Sequence, residues 1–295
     1  MLIKIHRLVP AAIAFTIANG VAAEAPADRT GSGDTPAEAT ERTTTFFFAV
    51  RPWASRWDVP LNDAQVIIPN PLVPSPVLRT FAVSAQSGTS LVPLTAVGIR
   101  HGNFVATLNL SPSTDYSTGG LTTRDVNRRE LDFSLGYSML PHLVGALVYK
   151  SAKVDQVFTK NFENLLGTSG GVEISALLVG LSASAPLQGR LSLYGNVAAG
   201  VARQRGEVPD NAGKVKWNGA YTIGELGLSY GLVEGGKESL LKNLTLQVGY
   251  RAQLYTVRNI TYGSLSLPGG ELLTTETRDA DSTTGGFLIG LVGVF

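Results

Sequence analysis

Apolar and polar side chains alternate along most of the chain after residue 42. In residues 243–255, apolar side chains from Leu244 to Leu254 fall on even-numbered positions, and the polar or small side chains from Thr245 to Gln253 fall on odd-numbered positions. Residues 130–139 show the same alternation. Successive side chains of a β-strand point to opposite faces, whereas helical spacing would scatter both sets around an axis. The pattern therefore predicts strands.

Ten such segments can be counted, and the connections between them alternate in length. Short connections lie near His101–Gly102, Leu140–Pro141, 186–189 and 232–242, and long connections separate the other neighbours. A meander with an even strand number, short turns at one end and long loops at the other is typical of outer-membrane barrels. The prediction is an all-β fold, a transmembrane antiparallel up-and-down β-barrel of ten strands, with twelve as the alternative. The segments are about 43–51, 92–101, 103–112, 128–139, 142–152, 172–185, 190–203, 217–231, 243–257 and 281–295.

The faces of these strands can be assigned if hydrocarbon surrounds the barrel. Several segments exceed the five or six residues usual in soluble sheets and match the 9–11 needed to cross a bilayer at a tilt. Apolar residues are then expected outside, and polar residues and glycines inside. A soluble exported barrel would instead bury the apolar face. The polar residues expected in the lumen are Glu130, Asp132, Glu225, Gln247, Arg251 and Gln253.

Residues 52–91 form the longest connection in this interpretation. The segment is punctuated by prolines but also contains apolar stretches at 66–68 and 81–83. A loop of forty residues without structure is uncommon. We expect either an extracellular loop folded over the lumen, or a strand over 78–86 that adds to the sheet or extends the second strand.

The first 42 residues are predicted to lie outside the barrel. Residues 1–23 have a basic start, an apolar run and small residues before Ala23, which is the pattern of a secretory signal peptide cleaved after Ala23. The apolar run is too short to span a membrane as a helix. Residues 24–42 lack large apolar side chains, so we expect a flexible periplasmic leader. Residues 43–295 are assigned to the barrel.

The end of the chain carries a family resemblance. Phe287, Ile289, Leu291 and Phe295 occupy alternate positions counted back from the carboxyl end. This resembles the terminal signature of bacterial outer-membrane β-barrels, which the barrel-assembly machinery recognises. Gly293 departs from the signature, where a larger apolar residue is usual. At the level of architecture, residues 43–295 are similar to small porin-like and opacity-type surface barrels.

Composition excludes several classes of protein. The 295 residues include 24 Lys and Arg against 23 Asp and Glu, so nucleic-acid binding has no electrostatic basis. There is no cysteine, which excludes disulfides and thiolate metal sites. Acidic residues between 271 and 281 form a solvated loop more readily than a calcium site, because their spacing matches no established one. We predict no metal and no cofactor.

Candidate catalytic residues are few. Residues 227–231 match G-x-S-x-G, but they lie inside an alternating strand and not at the strand-to-helix turn that the motif needs. Beyond the signal peptide the only histidines are His101 and His142, both at the short-turn end. The outer-membrane proteases called omptins are similar in strand number, but that family has a histidine at the extracellular mouth, and lipid A deacylases also need a histidine base. We therefore predict no catalytic residues and no enzymatic activity.

Two interpretations of the lumen stay open. Arg251 can pair with Glu225 and other carboxylates and plug a narrow barrel, or the inward glycines can leave space for a polar pathway. Ten strands lie near the number at which side chains fill the interior, which favours the plug. The function predicted is a non-enzymatic structural or surface-interaction barrel, with or without passage of small solutes. The alternatives are a narrow porin-like transport channel and an outer-membrane protease or lipid hydrolase. Expected partners are outer-membrane lipids, lipopolysaccharide and the assembly machinery, with a monomer in the outer membrane of a Gram-negative cell envelope.

Aromatic residues near strand ends and loop bases have two explanations. Amphipathic rings favour the membrane interface, where they form girdles. Aromatic residues also favour strands in general. The sequence does not decide between them. The residues are Trp53, Trp57, Tyr116, Tyr149, Tyr221, Tyr255 and Tyr262.

Overall fold

The chain folds into a closed barrel of ten antiparallel strands connected up and down, as predicted. The twelve-strand alternative is wrong. No helix in the part of the chain that the structure describes is long and apolar enough to cross a membrane. The signal peptide with Ala23 and the leader 24–42 lie outside the described residues. The computed structural model describes residues 44–59, 64–68, 77–81, 85–117, 123–158, 169–207, 214–236, 239–260, 265–267, 270–272 and 278–295.

Ten long strands form the wall, and four short strands form two separate hairpins. In order around the ring, the wall strands are β1, β14, β11, β10, β9, β8, β7, β6, β5 and β4. The hairpins pair β2 with β3 and β12 with β13. The bounds are β1 Thr44–Val59, β2 Ala64–Ile68, β3 Val77–Phe81, β4 Ala85–His101, β5 Phe104–Ser117, β6 Thr123–Leu140, β7 Leu143–Phe158, β8 Ser169–Gln188, β9 Leu191–Glu207, β10 Lys214–Glu234, β11 Asn243–Ile260, β12 Leu265–Leu267, β13 Gly270–Leu272 and β14 Arg278–Val294.

Most wall strands extend farther toward the long connections than the alternation predicts. The largest difference lies in the predicted loop 52–91, where β1 continues to Val59 and β4 already begins at Ala85. Between them, β2 and β3 form a separate hairpin. Pro52 and Pro93 do not end β1 and β4: they lie opposite each other, and the pairing between these two strands continues before and after them. On the other side of β1, the pairing with β14 is interrupted at Arg51 and Pro52.

Tight turns fix the register at the opposite end. Gly102 and Gly189 both have φ of 56°, a left-handed conformation that glycine adopts without steric cost. They lie in two-residue turns that join β4 to β5 and β8 to β9. Another two-residue turn, Pro141–His142, joins β6 to β7. Each turn sets which residues of its two strands lie opposite each other.

The barrel exposes apolar side chains and buries charged ones. On β6, Leu135 is 54% exposed, whereas Glu130 and Asp132 are only 9% and 7% exposed. From Leu131 to Met139 the outward side chains of β6 are all apolar or aromatic. At about 3.4 Å per residue and a tilt of about 40°, these eight steps rise about 21 Å, close to the apolar band of about 25 Å in membrane barrels. The outer surface is therefore suited to hydrocarbon.

The C-terminal strand closes the ring against the first strand. Phe46 and Phe295 exchange two backbone hydrogen bonds, with N···O distances of 3.2 and 2.8 Å. Phe287, Ile289 and Leu291 point outward on β14, and Phe295 is also exposed. The ring of Phe295 lies beside Gly293, where an added Cβ would be 3.3 Å from it. The terminal aromatic thus covers the position at which the sequence lacks a side chain.

Candidate functional site

The six polar residues expected in the lumen are all buried inside the barrel. Three further charged residues, which the sequence analysis did not assign to the lumen, lie among them. Together the buried charged residues that the structure describes comprise four cations and three carboxylates. They are Arg51 of β1, Arg128, Glu130 and Asp132 of β6, Lys150 of β7, Glu225 of β10 and Arg251 of β11.

These seven residues form one chain of ion pairs with alternating charge, which we call the lumen network. It begins at Arg51, which pairs with Glu225. Arg251 lies 3.6 Å from Glu225 and 3.7 Å from Asp132. The remaining members continue from that carboxylate: Lys150 Nζ lies 2.8 Å from Asp132 and 2.5 Å from Glu130, and Glu130 pairs with Arg128. Buried charges are tolerated when they are paired in this way.

The lumen network connects opposite walls of the barrel. Strands β11 and β6 are separated by five steps in the ring of ten, so they face each other across the full diameter. Arg251 and Asp132 meet from these two strands. Gln253 of β11 also donates a hydrogen bond to Glu130 of β6 over 3.1 Å. Polar contacts therefore occupy the central axis at this level.

A second set of neutral groups fixes the Arg128 end of the lumen network. Arg128 donates to Thr284 over 2.6 Å and to the Gln253 carbonyl oxygen over 2.7 Å. The Tyr221 hydroxyl donates to the same oxygen over 2.7 Å. The guanidinium also stacks 4.9 Å from the ring centroid of Trp57. Its position is thus determined by side chains from several strands.

Two of the members missed by the sequence analysis could have been found by counting from the turns. Lys150 lies directly opposite Asp132 in the β6–β7 pair, whose register follows from the turn at Pro141–His142. Arg128 shares the inner face of β6 with Glu130 and Asp132, two and four residues away. Arg51 follows the alternation of β1 inward, but its partner Glu225 is three strands away in the ring.

The space expected from inward glycines is occupied. A Cβ added at Gly227 or Gly249 would lie 2.6 or 2.7 Å from the Tyr194 hydroxyl, so this ring fills the volume that both glycines leave. Gly136 lies against Val144 of the neighbouring strand β7. Gly200 lies against the backbone of β8. The expectation that these glycines keep a pathway open is therefore wrong at these positions.

Most of the aromatic residues considered for a girdle point into the lumen. Only Tyr149 is exposed on the outer face, and Tyr262 lies outside the described residues. Trp57 and Tyr116 pack edge to face with centroids 5.4 Å apart, inside the barrel on the side of the long connections. The girdle interpretation is thus wrong for the buried members, which are Trp53, Trp57, Tyr116, Tyr221 and Tyr255.

The residues considered for catalysis are not brought together. His101 accepts or donates a hydrogen bond with Thr44 over 2.9 Å at the short-turn end, and His142 is exposed in a turn there. Ser229 lies within β10, paired with neighbours on both sides. Of the acidic loop only Asp281 has a described side chain, and it is exposed. The described residues contain no cluster of three or more His, Asp or Glu side chains suited to a metal ion.

Comparisons with known proteins return barrels at low similarity. No protein-family model matches the chain. No curated protein matches it. Among solved structures, the outer membrane protease OmpT from Escherichia coli is 10% identical and aligns over 89% of this chain and 99% of its own, with a TM-score of 0.37.

Two other solved structures show a similarly low level of agreement. The translocator domain of the autotransporter NalP from Neisseria meningitidis is 7% identical over 85% of this chain and 88% of its own, with a TM-score of 0.41. The Pseudomonas putida toluene transporter TodX is 8% identical over 96% and 95%, with a TM-score of 0.29. At these values the comparisons carry no argument about activity.

Proposed function

We propose that this protein is an integral outer-membrane barrel with a structural or surface-interaction role and a lumen closed to solutes. The observation that carries the proposal is the lumen network, which connects β11 to β6 across the full diameter of the barrel. Opening an axial path would require separating buried pairs, and removing one partner of such a pair costs about 3–5 kcal/mol. The closed form is therefore the stable one.

The membrane location is supported by the distribution of side chains. Leucine and aromatic side chains cover the outside, and charges lie inside, which is the inverse of a protein surrounded by water. Lipids and lipopolysaccharide would contact this outer belt. The outward residues of β14 that end in Phe295 are available to the barrel-assembly machinery. A single chain completes the ring, which favours a monomer.

A non-enzymatic role is supported by the chemistry of the lumen. The buried carboxylates Glu130, Asp132 and Glu225 each form ion pairs with buried cations. His101 and His142 lie at the short-turn end, away from the long connections. A proton carrier and a nucleophile within hydrogen-bond reach of each other are the usual requirement for hydrolysis.

A narrow channel is the second candidate. The lumen network has four cations and three carboxylates, an excess of one positive charge among the described residues. If the network rearranges, this excess would favour the passage of anions over cations.

Recordings in planar bilayers test both candidates. The chain from residue 24 onward is refolded into detergent, folding is checked by heat-modifiable migration, and single barrels are recorded. For the unmodified protein we expect no discrete conductance steps. Steps should appear in Arg251→Ala, which removes the ion pair between β11 and β6 and leaves only the hydrogen bonds of Gln253 across the lumen. Anion-selective steps in the unmodified protein would favour the channel, and equal conductance in Arg251→Ala would refute the plug. Hydrolysis of a peptide or lipid substrate by the refolded protein would instead support the enzyme alternative.

A further inference from the structure

Strands β4 and β5 are hydrogen-bonded along only part of their shared length. Their pairing runs from His101 opposite Phe104 to Thr95 opposite Leu110. Both strands continue beyond this point, β4 back to Ala85 and β5 onward to Ser117. The wall therefore has a seam between β4 and β5 on the side of the long connections.

Prolines account for the end of the pairing. Continuing the register by two residues places Pro93 opposite Pro112, and neither can donate a backbone hydrogen bond. On the other side of β4, Pro52 of β1 lies opposite Pro93. The pairing of β5 with β6 also shifts between Ser111 and Thr114, a bulge that contains Pro112. Three prolines thus lie at one level of three adjacent strands.

The two strands stay close beyond the prolines. Ser90 donates its hydroxyl hydrogen to the carbonyl oxygen of Asp115 over 2.9 Å. A Cβ added at Gly88 would lie 4.0 Å from the carbonyl oxygen of Ser117. Both contacts continue the register of the paired part. The seam is thus held by a side chain where the rest of the wall is held by backbone hydrogen bonds.

A narrow crevice lies where the pairing of β4 and β5 ends, and it reaches the lumen network. Its volume of about 10 Å³ holds about one water molecule, so a larger occupant requires the seam to part. Its outer part includes Leu110, which is exposed on the apolar surface of the barrel. Its inner end is formed by Arg51, Glu130, Asp132 and Arg251. Its sides are lined by residues of the two strands, which are Leu94, Thr95 and Ala96 of β4 and Asn109, Leu110 and Ser111 of β5.

Arg251 has unused hydrogen-bonding capacity at the inner end. Its terminal nitrogens lie 3.6 and 3.7 Å from carboxylate oxygens, beyond the 2.7–3.2 Å of a normal N–H···O bond. Its buried Nε has no hydrogen-bond partner among the described residues. A buried guanidinium with unused donors, in a network with one excess positive charge, is suited to a carboxylate or phosphate group.

We infer that the seam between β4 and β5 parts to admit a single-chain anionic amphiphile from the surrounding lipid. Its carboxylate or phosphate head binds Arg251, and its alkyl tail passes between Leu94 and Leu110 into the apolar belt. The inference rests on the proposed membrane location and goes beyond the proposed function, because a lateral site requires no opening of the lumen along its axis.

Tryptophan fluorescence can report on the site. The ring centroid of Trp53 lies 5.5 Å from the Arg251 guanidinium, and Trp53 and Trp57 are both buried inside the barrel. Trp217, the third tryptophan, is replaced by Phe to remove its signal. The probe is α-bromopalmitate, whose bromine quenches tryptophan at short range. Its methyl ester is the uncharged control, and bromine-labelled phosphatidylcholine measures quenching from outside the barrel.

Variants separate the two parts of the inference. Pro93→Val with Pro112→Val restores both N–H groups, so the pairing should continue and close the seam. Pro186→Val is the control, since Pro186 lies in β8 opposite Ser192 of β9, next to a register shift near the short turn and away from the seam. Arg251→Gln removes the charge that binds the head. Heat-modifiable migration establishes that each variant folds, so failure to fold is distinguished from failure to bind.

We expect α-bromopalmitate to quench the fluorescence in a saturable way. The half-saturating concentration should be about tenfold higher for the methyl ester, and about tenfold higher for the acid in Arg251→Gln, because each change removes a charge-assisted hydrogen bond. The proline double variant should lose quenching and Pro186→Val should retain it. Equal quenching in all variants, or quenching matched by the bromine-labelled phosphatidylcholine, would overturn the inference. Inorganic phosphate can compete for the binding site of the head but not for that of the alkyl tail. If it abolishes the quenching completely, the ligand is a free anion, and the inference that the ligand enters from lipid is overturned.

Discussion

Leu135→Arg is the substitution that most directly tests which solvent surrounds the barrel. Leu135 is 54% exposed on β6, between Phe133 and Tyr137 on the same face. Its cross-strand neighbours are Ala106 and Leu147, so no outward charge lies directly beside it. In water, replacing an exposed leucine by arginine is close to neutral. In hydrocarbon the same change is strongly unfavourable.

The expected magnitude follows from depth. Leu135 lies midway along the apolar series from Leu131 to Met139, so its side chain is near the centre of the belt. Arginine at the midplane of a membrane barrel costs about 2–4 kcal/mol, and about 0–1 kcal/mol near the interface. Met139 is four residues closer to the short turn, about 10 Å along the membrane normal at a tilt of about 40°. Met139→Arg is therefore the matched control.

The assay is reversible unfolding in urea of barrels refolded into phosphatidylcholine vesicles, followed by tryptophan fluorescence. We expect Leu135→Arg to lower the free energy of unfolding by about 2–4 kcal/mol and Met139→Arg by about 1 kcal/mol or less. Equal small effects at both positions would refute the membrane assignment. A stabilising effect of Leu135→Arg, with folding in plain buffer, would indicate a soluble barrel.

Three further substitutions test the interior and the closure. Glu225→Gln leaves Arg51 and Arg251 without the carboxylate that they share and should cost about 3–5 kcal/mol in the same urea titration; a change below 1 kcal/mol would contradict the importance of the network. Gly249→Val places a side chain against the Tyr194 hydroxyl and should cost about 1–3 kcal/mol, with partial rescue by Tyr194→Ala; no rescue would mean that the cost arises elsewhere. Phe295→Ser should reduce the heat-modifiable barrel in outer-membrane fractions, whereas unchanged assembly would show that the C-terminal resemblance has no functional consequence.

The strand number and the faces could be predicted because they depend on local rules. Alternation has a period of two, so it assigns Glu130 and Asp132 to one face and Leu131 to the other without knowledge of neighbours. The ends of strands were harder to predict. Pro52 reads as a break, yet it lies within β1, which stays paired with β4 on both sides of it and loses its pairing with β14 only at Arg51 and Pro52.

The partners in the lumen network depend on register across the ring. Glu225 and Arg251 lie directly opposite each other on adjacent strands, and this pairing was considered from the sequence. The contact of Arg251 with Asp132 joins strands that are five steps apart. The relative height of such strands accumulates over several pairings, some joined by long connections whose length fixes no register. The contact across the lumen therefore required the structure.

The seam and the lumen network act on the same part of the wall. Beyond Thr95 and Leu110, β4 and β5 are not paired by backbone hydrogen bonds. The strands that flank the seam are β1 and β6, which carry Arg51 and Asp132. Through Glu225 and Arg251 these two residues are connected inside the barrel, so the flanking strands are held together where β4 and β5 are not. A closed lumen is therefore compatible with a seam that can part. Loss of Glu225 should weaken both the closure of the lumen and the connection between the strands that flank the seam.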